Sequence, residues 1–206
     1  MKLLVYDTSS DILSVGVYDG EKKLAGRESG LFAGHSSHLV PILRRTLREA
    51  KLLWETIDAV VVGLGPGSFT GLRVGVTTAK VLAYALHAKT VGVSSLEAIA
   101  YGVKNRERRI GVLLDARKGK VYAALYERAG HGFRAVKRPA LVTREAFLKG
   151  AGKSAFLVEN AFPTADGVRR AAQALLLKKK FQDPFRLEPL YLHSRDCNTQ
   201  PRRRQD

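Results

Sequence analysis

The side chains best placed for chemistry in this chain stand at the ends of apolar runs. Asp7, followed by Thr8 and Ser9, closes the run Leu3-Leu4-Val5-Tyr6. A carboxylate at a strand end could hold a metal–phosphate pair. Asp115 closes residues 110–114 in the same way, with Arg117 two positions on. One carboxylate per strand end is also what an ordinary turn uses. The second candidate is the loop Gly65-Pro66-Gly67-Ser68-Phe69-Thr70-Gly71, which follows the β-branched run Val60-Val61-Val62 and opens a helix. Free N–H groups at such a helix start could hold an anion. A tight strand-to-helix turn accounts for the loop equally well. It is no P-loop, since Gly71 is followed by Leu72-Arg73 and no lysine. Gly63-x-Gly65-x-x-Ser68 lacks the third glycine of a dinucleotide fingerprint. His35 and His38 are three apart, but zinc needs three or four ligands and no carboxylate sits beside them. Capping or an interface suits them better. Gly65-x-Gly67-Ser68 has the wrong spacing for a hydrolase nucleophile elbow.

These residues need a scaffold, and the patterning supplies one. Residues 2–8, 12–18 and 22–29 read as three strands, the last two joined by the hairpin signal Asp19-Gly20. Leu39, Ile42, Leu43 and Leu47 keep helical spacing from His35 onward, with Pro41 tolerable only near that helix's start. The central strand at Val60 then feeds the loop and a helix to Leu86, capped by Ser68 or Thr70. Residues 90–93 form a strand, and Ser94 or Ser95 caps the next helix. The order βββαβαβα predicts a mixed α/β sheet covered by helices, residues 1–103. The charged stretch from Lys104 to Arg109 marks a boundary. Beyond it, a hairpin that residues 133–141 could extend by one strand, a strand at 155–159, two helices and an extended 187–192 predict a smaller lobe over 104–194. The polar, basic tail 195–206 reads as disordered.

Within the central helix, Gly71, Gly75, Thr78 and Leu82 share one face. Glycine costs about 1 kcal/mol against alanine inside a helix. Two on one stripe point to a close-approaching backbone, either the chain's own sheet or, the favoured reading, a partner's helix. Val74, Val81 and Ala85 are then left to face the sheet.

Composition narrows the classes. The net charge is +16 and unevenly spread: residues 1–100 hold 11 Lys+Arg and 9 Asp+Glu, the rest 24 and 10. A basic second half fits proximity to a phosphate backbone as well as a merely solvated surface. No run reaches the roughly 20 apolar residues of a membrane span. Charge appears too early for a signal peptide, and Cys197 is the only cysteine, so a cytoplasmic protein without disulfides is expected.

Asp7-Thr-Ser at the first strand end, the βββαβα order and Gly65-Pro-Gly-Ser-Phe-Thr-Gly-Leu-Arg-Val-Gly75 together resemble the TsaB (YeaZ) family. His35 with Leu39 and Pro41, Val93-Ser-Ser-Leu96, Leu114-Asp115-Ala-Arg-Lys-Gly-Lys-Val-Tyr122 and Glu188-Pro-Leu-Tyr-Leu192 match in register. The resemblance implies an actin-like (ASKHA, ribonuclease H-like) α/β fold of two lobes, the second reduced. It implies a non-catalytic subunit that supports the transferase TsaD, with the ATPase TsaE, in placing threonylcarbamoyl on the adenosine next to a tRNA anticodon. ATP and a divalent metal then belong to the partner subunits, tRNA is met through the complex, and the chain pairs with itself when alone. The implied partner surface comprises His35, His38, Pro41, Arg45, Ser68, Phe69, Thr70, Gly71, Arg73, Gly75, Thr78 and Leu82. Asp7, Thr8, Ser9, Gly65, Gly67, Asp115 and Arg117 form a possible vestigial phosphate or nucleotide site. The second lobe lacks a glycine-rich phosphate turn, and the histidine spacing of three departs from the four of TsaD-type metal motifs. A self-sufficient small ATPase, kinase-like or peptidase-like enzyme of the same fold is the alternative.

Overall fold

The structure, a computed structural model, describes residues 1–30, 35–104, 107–130, 132–152 and 154–192, with backbone alone for 35 and 36. The expected basic tail, with Cys197, lies outside the described residues.

Strands β1 (Lys2–Asp7), β2 (Ile12–Asp19) and β3 (Lys22–Gly30) form an antiparallel meander. Gly20, at φ +59°, makes the Asp-Gly turn, a conformation that costs glycine nothing. β4 (Ala59–Gly63) lies parallel to β1, and β5 (Lys89–Val93) parallel to β4. The sheet order β3-β2-β1-β4-β5 is the ribonuclease H-like lobe of the actin-like ASKHA fold. β1 and β4 are buried almost throughout, as central strands with helices on both faces must be.

Helix α1 (His35–Glu49) buries Leu39, Leu43 and Leu47 on one face of this sheet, with α2 (Phe69–Leu86) beside it. Pro41 stands at the seventh position of α1, further in than the first turn allowed for it. It is solvent-exposed, and the leucine stripe carries the helix past the missing hydrogen bond. Residues Trp54–Thr56, expected as a lead-in to β4, form a 3₁₀ turn.

The second sheet is β8-β7-β6-β9, from β6 (Arg109–Asp115), β7 (Lys120–Ala129), β8 (Gly132–Thr143) and β9 (Phe156–Glu159). Helix α3 (Ser95–Gly102) joins the two halves. Its Ala98 and Tyr101 pack with the first sheet, and its Leu96, Ile99 and Ala100 with the second. Helix α4 (Arg144–Ala151) covers the other face of the second sheet through Phe147.

The expected division at residue 103 does not follow the packing. Helix α5 (Ala165–Leu177), assigned from sequence to the second lobe, buries Ala165, Val168, Ala171 and Ala172 against Leu3, Val5, Val61 and Val91 of the first sheet. The reason is reciprocal need. The first sheet's second face is apolar and has only α3 to cover it, and Ser14 Oγ accepts from Ala165 N at 2.7 Å, pinning the helix start. Glycine at 167 lets α5 close on α3, because a Cβ there would strike the Ala98 carbonyl. The segment after α5 also returns to the first lobe. Gln182 pairs with Thr90, Leu187 is buried in the α1–α2 core, and Leu190 N donates to Leu64 O at 2.7 Å. Residues 187–192, expected to be extended, form no strand.

Candidate functional site

Three regions bear on function: the tip of β1, the cleft between the sheets, and the outer face of α2.

At the tip of β1 the side chains of Asp7 and Thr8 have partners within the chain, whereas the buried Ser9 hydroxyl has none among the described residues. Asp7 is fully buried; its Oδ1 accepts from Ser9 N and its Oδ2 from Ser95 Oγ, both at 2.6 Å. Ser95 Oγ in turn accepts from Gly65 N at 3.0 Å. A carboxylate taken from water needs such donors, and here they come from the chain itself. Ser94, not Ser95, is the N-cap of α3, and its side chain makes no cap bond. The serine expected as a possible cap is used on Asp7 instead. Thr8 is also fully buried and donates to the Gly71 carbonyl at 2.7 Å; Tyr6 Oη donates to the Gly75 carbonyl at 2.9 Å.

The same contacts overturn the favoured reading of the glycine stripe. Gly71 and Gly75 are buried. A Cβ on Gly71 would collide with the Thr8 carbonyl oxygen, and one on Gly75 with Thr8 Oγ1. The backbone they admit is the chain's own β1, not a partner's helix. Val81 and Ala85, expected to face the sheet, are exposed instead, while Val74 does pack on the core.

The cleft between the two sheets encloses about 660 Å³. It gathers Ser9, Gly67, Ser68, Phe69 and Thr70 from one side and Asp115, Arg117, Tyr122 and Asn160 from the other. Of the seven residues expected in a phosphate site, Ser9, Gly67, Asp115 and Arg117 line it. Asp7, Thr8 and Gly65 do not. Asp115 Oδ1 accepts from Arg117 N at 2.9 Å, the ordinary duty of a turn aspartate. Ser68 caps α2 by accepting from Gly71 N at 3.2 Å, as one of the two cap candidates. Among the described residues no group of three or more His, Cys, Asp and Glu side chains could hold a metal ion.

The outer face of α2 has a different character. Phe69, Thr70, Arg73, Thr77, Val81 and Tyr84 run along it in the open. Tyr84 is 67% exposed and Val81 59%. Residues from the returning C-terminal segment extend the ridge. Tyr191 packs at a tilt against Phe69 with centroids 5.3 Å apart, and Phe185 meets Tyr84 edge-on at 5.8 Å. The Arg73 guanidinium sits 3.9 Å over the Phe69 ring, and its Nε donates to Tyr191 Oη at 3.3 Å. Of the expected partner residues on α2, Phe69, Thr70 and Arg73 belong to this ridge. Ser68, Thr78 and Leu82 are half-buried, and Gly71 and Gly75 are inside. On α1, His38, Pro41 and Arg45 are exposed, His38 beside Ser37 at 3.0 Å and Arg45 paired with Glu49 at 3.4 Å; the His35 side chain is outside the described residues.

Sequence reading missed Val81, Tyr84, Phe185 and Tyr191. A signal was present, because α2 carries only Arg73 and Lys80 as charges in 18 residues. A helix apolar all round is one that ends up covered on all sides.

The comparisons agree with this architecture. A family model described as "TsaD: tRNA N6-adenosine threonylcarbamoyltransferase" matches residues 32–172. The tRNA threonylcarbamoyladenosine biosynthesis protein TsaB of Bacillus subtilis is 35% identical over 127 residues, 62% of this chain and 56% of that protein. TsaB of Escherichia coli is 33% identical over 155 residues, 69% of this chain and 64% of that protein. The chain thus spans less than two thirds of the length of these curated relatives. The solved structure of YeaZ from Pseudomonas aeruginosa superposes with a TM-score of 0.83 at 23% identity, covering 93% of this chain and 99% of that one. With the ribonuclease H-like lobe, the glycine loop closed on β1 and these matches in hand, the chain belongs to the TsaB (YeaZ) family.

Proposed function

We propose that this chain is the supporting subunit of a tRNA threonylcarbamoyladenosine-forming complex, and that the α2 ridge seats the TsaD-like transferase. The observation that carries the reading is the outer face of α2. A helix with two charges in 18 residues leaves Phe69, Val81 and Tyr84 in water, flanked by Phe185 and Tyr191. Clustered aromatic side chains with an arginine held among them are what interface centres are made of. An exposed apolar patch of this kind marks a surface that a partner covers.

The tip of β1 supports the non-catalytic half of the reading. To hold a metal–phosphate pair, a carboxylate at this strand end would have to be free to reach it. Asp7 is instead buried under Ser95 and the Ser9 amide. Chemistry, ATP and divalent metal are assigned to the TsaD-like and TsaE-like partners, in the cytoplasm, and tRNA reaches this chain through the assembly. Without the partner, a second copy covers the ridge. No helix among the described residues is long and apolar enough to cross a membrane.

The test is co-purification of the chain with its TsaD-like partner. Val81→Asp/Tyr84→Asp puts two charges on the ridge without touching the core, so the thermal melt stays within about 2 °C while complex recovery falls at least tenfold, the loss expected of a desolvated charge at an interface centre. Undiminished recovery of the complex refutes the ridge.

A further inference from the structure

The second lobe carries a charge arrangement that the seating of a protein partner on α2 does not use. Residues 108–151 hold 11 Lys+Arg against 3 Asp+Glu. Within them, Arg109, Glu127 and Arg134 are direct cross-strand partners on β6, β7 and β8. Directly paired residues share one face of a sheet, so the three side chains form a rung across it. Glu127 is buried, and it holds three guanidiniums at once. Arg108 Nε lies 3.1 Å and Arg109 Nε 3.3 Å from its Oε1, and Arg134 Nη2 lies 2.8 Å from its Oε2. The Arg134 hydrogen bond, and then that from Arg109, keeps the Glu127 carboxyl below the ordinary range, so it stays charged. Arg128, next on β7, is fixed too, with its guanidinium 4.9 Å over the Phe133 ring and its Nε donating to the Glu107 carbonyl at 3.1 Å.

One carboxylate cannot neutralise three guanidiniums. Arg108 and Arg134 keep 83% and 71% of their side-chain surface in water, and Arg109 keeps 41%. Each spends one N–H edge on Glu127 and presents the others outward. Because the guanidinium ends of these pairs lie largely in water, each pair taken singly adds little to stability. What it does is hold long, rotamer-rich side chains in one fan before any ligand arrives, which removes an ordering cost from binding. Planar guanidiniums fixed this way match the oxygens of phosphodiesters, which they can grip bidentately.

We propose that the Arg108–Arg109–Arg134 fan on the second sheet is a docking surface for the phosphate backbone of an RNA, with Glu127 as its positioning residue. The choice of RNA among polyanions rests on the proposed function. The fan itself does not, and it is tested on the chain alone, so its failure leaves the ridge on α2 untouched.

The experiment is fluorescence-anisotropy titration of the full chain with a labelled unmodified tRNA transcript at 50 and 200 mM salt. Arg109→Ala/Arg134→Ala weakens binding at least tenfold at 50 mM and lowers the slope of log K against log salt by about 1.4–1.8, two phosphate contacts' worth. Lys178→Ala/Lys179→Ala, which removes the same charge at the end of α5, changes affinity less than twofold. Glu127→Gln separates positioning from attraction. It raises the net positive charge, so simple attraction predicts tighter binding; the fan predicts binding at least threefold weaker with an unchanged melt. Equal losses in the two double variants, tighter binding by Glu127→Gln, or displacement of the tRNA by polyglutamate or phosphatidylserine vesicles at matched charge overturns the proposal.

Discussion

Thr8 fills the space that two glycines leave. Its carbonyl and its hydroxyl occupy the places where Cβ atoms of Gly71 and Gly75 would be, so the stripe locks α2 to β1. Gly71→Ala therefore overpacks a backbone contact that no rotamer change relieves, and is expected to cost about 1–3 kcal/mol in urea unfolding. An unchanged midpoint would mean the helix slides freely over β1. The stripe was legible in the sequence as a close approach; which backbone approaches was not, because helical spacing is the same for either partner. Asp7 teaches the same lesson. Its place at a strand end was readable, but its burial depends on Ser95, 88 residues away. Glu97, on α3, was not singled out at all. Burial pushes its carboxyl up from an ordinary 4.5 to about 7. The folded state thus holds the proton more tightly, and stability falls as pH rises from about 4.5 to 7, then levels. Glu97→Gln removes that slope, gaining ~3 kcal/mol over the parent at pH 8 and nothing at pH 4.5. Parallel stability–pH curves for the two would contradict it.

At the scale of elements, α2 has two apolar faces with different duties. The inner one is made of small residues and short reach: Gly71, Gly75, Ala79 and Ala83, with Leu72 and Val76. The outer one is large and aromatic. Sequence reading placed Val81 and Ala85 inward, because a sheet-facing helix usually shows its large residues to the sheet. That expectation fails here since β1 comes so close that only small residues fit. The hydroxyls at Ser68 and Thr70 predict a capped helix start, and Ser68 is the cap. Ser68→Ala leaves Gly71 N–H without its acceptor and is expected to cost about 1 kcal/mol, read in the thermal melt. A loss under a few tenths would show that the amide finds another acceptor in the cleft.

Over the whole molecule, the succession of strands and helices along the chain is open to reading, because period and punctuation are local. The lobe boundary is not. Helix α5 is amphipathic and would cover either sheet; Ser14 Oγ at its start and Gly167 against Ala98 decide for the first. The same return path brings Phe185 and Tyr191 onto α2, so the ridge is assembled from segments about 100 residues apart. What results is an actin-type scaffold whose first-strand carboxylate is spent internally and whose exposed aromatic surface lies on a helix. The most direct test is reconstitution of threonylcarbamoyl transfer with the purified TsaD-like and TsaE-like partners, tRNA and the activated carbamoyl donor. Omitting this chain should abolish transfer. Asp115→Ala/Arg117→Ala, which strips charge from the cleft, should restore it as well as the parent does, and Val81→Asp/Tyr84→Asp should not. Full transfer with the ridge variant, or loss with the cleft variant while the complex still forms, would contradict the account.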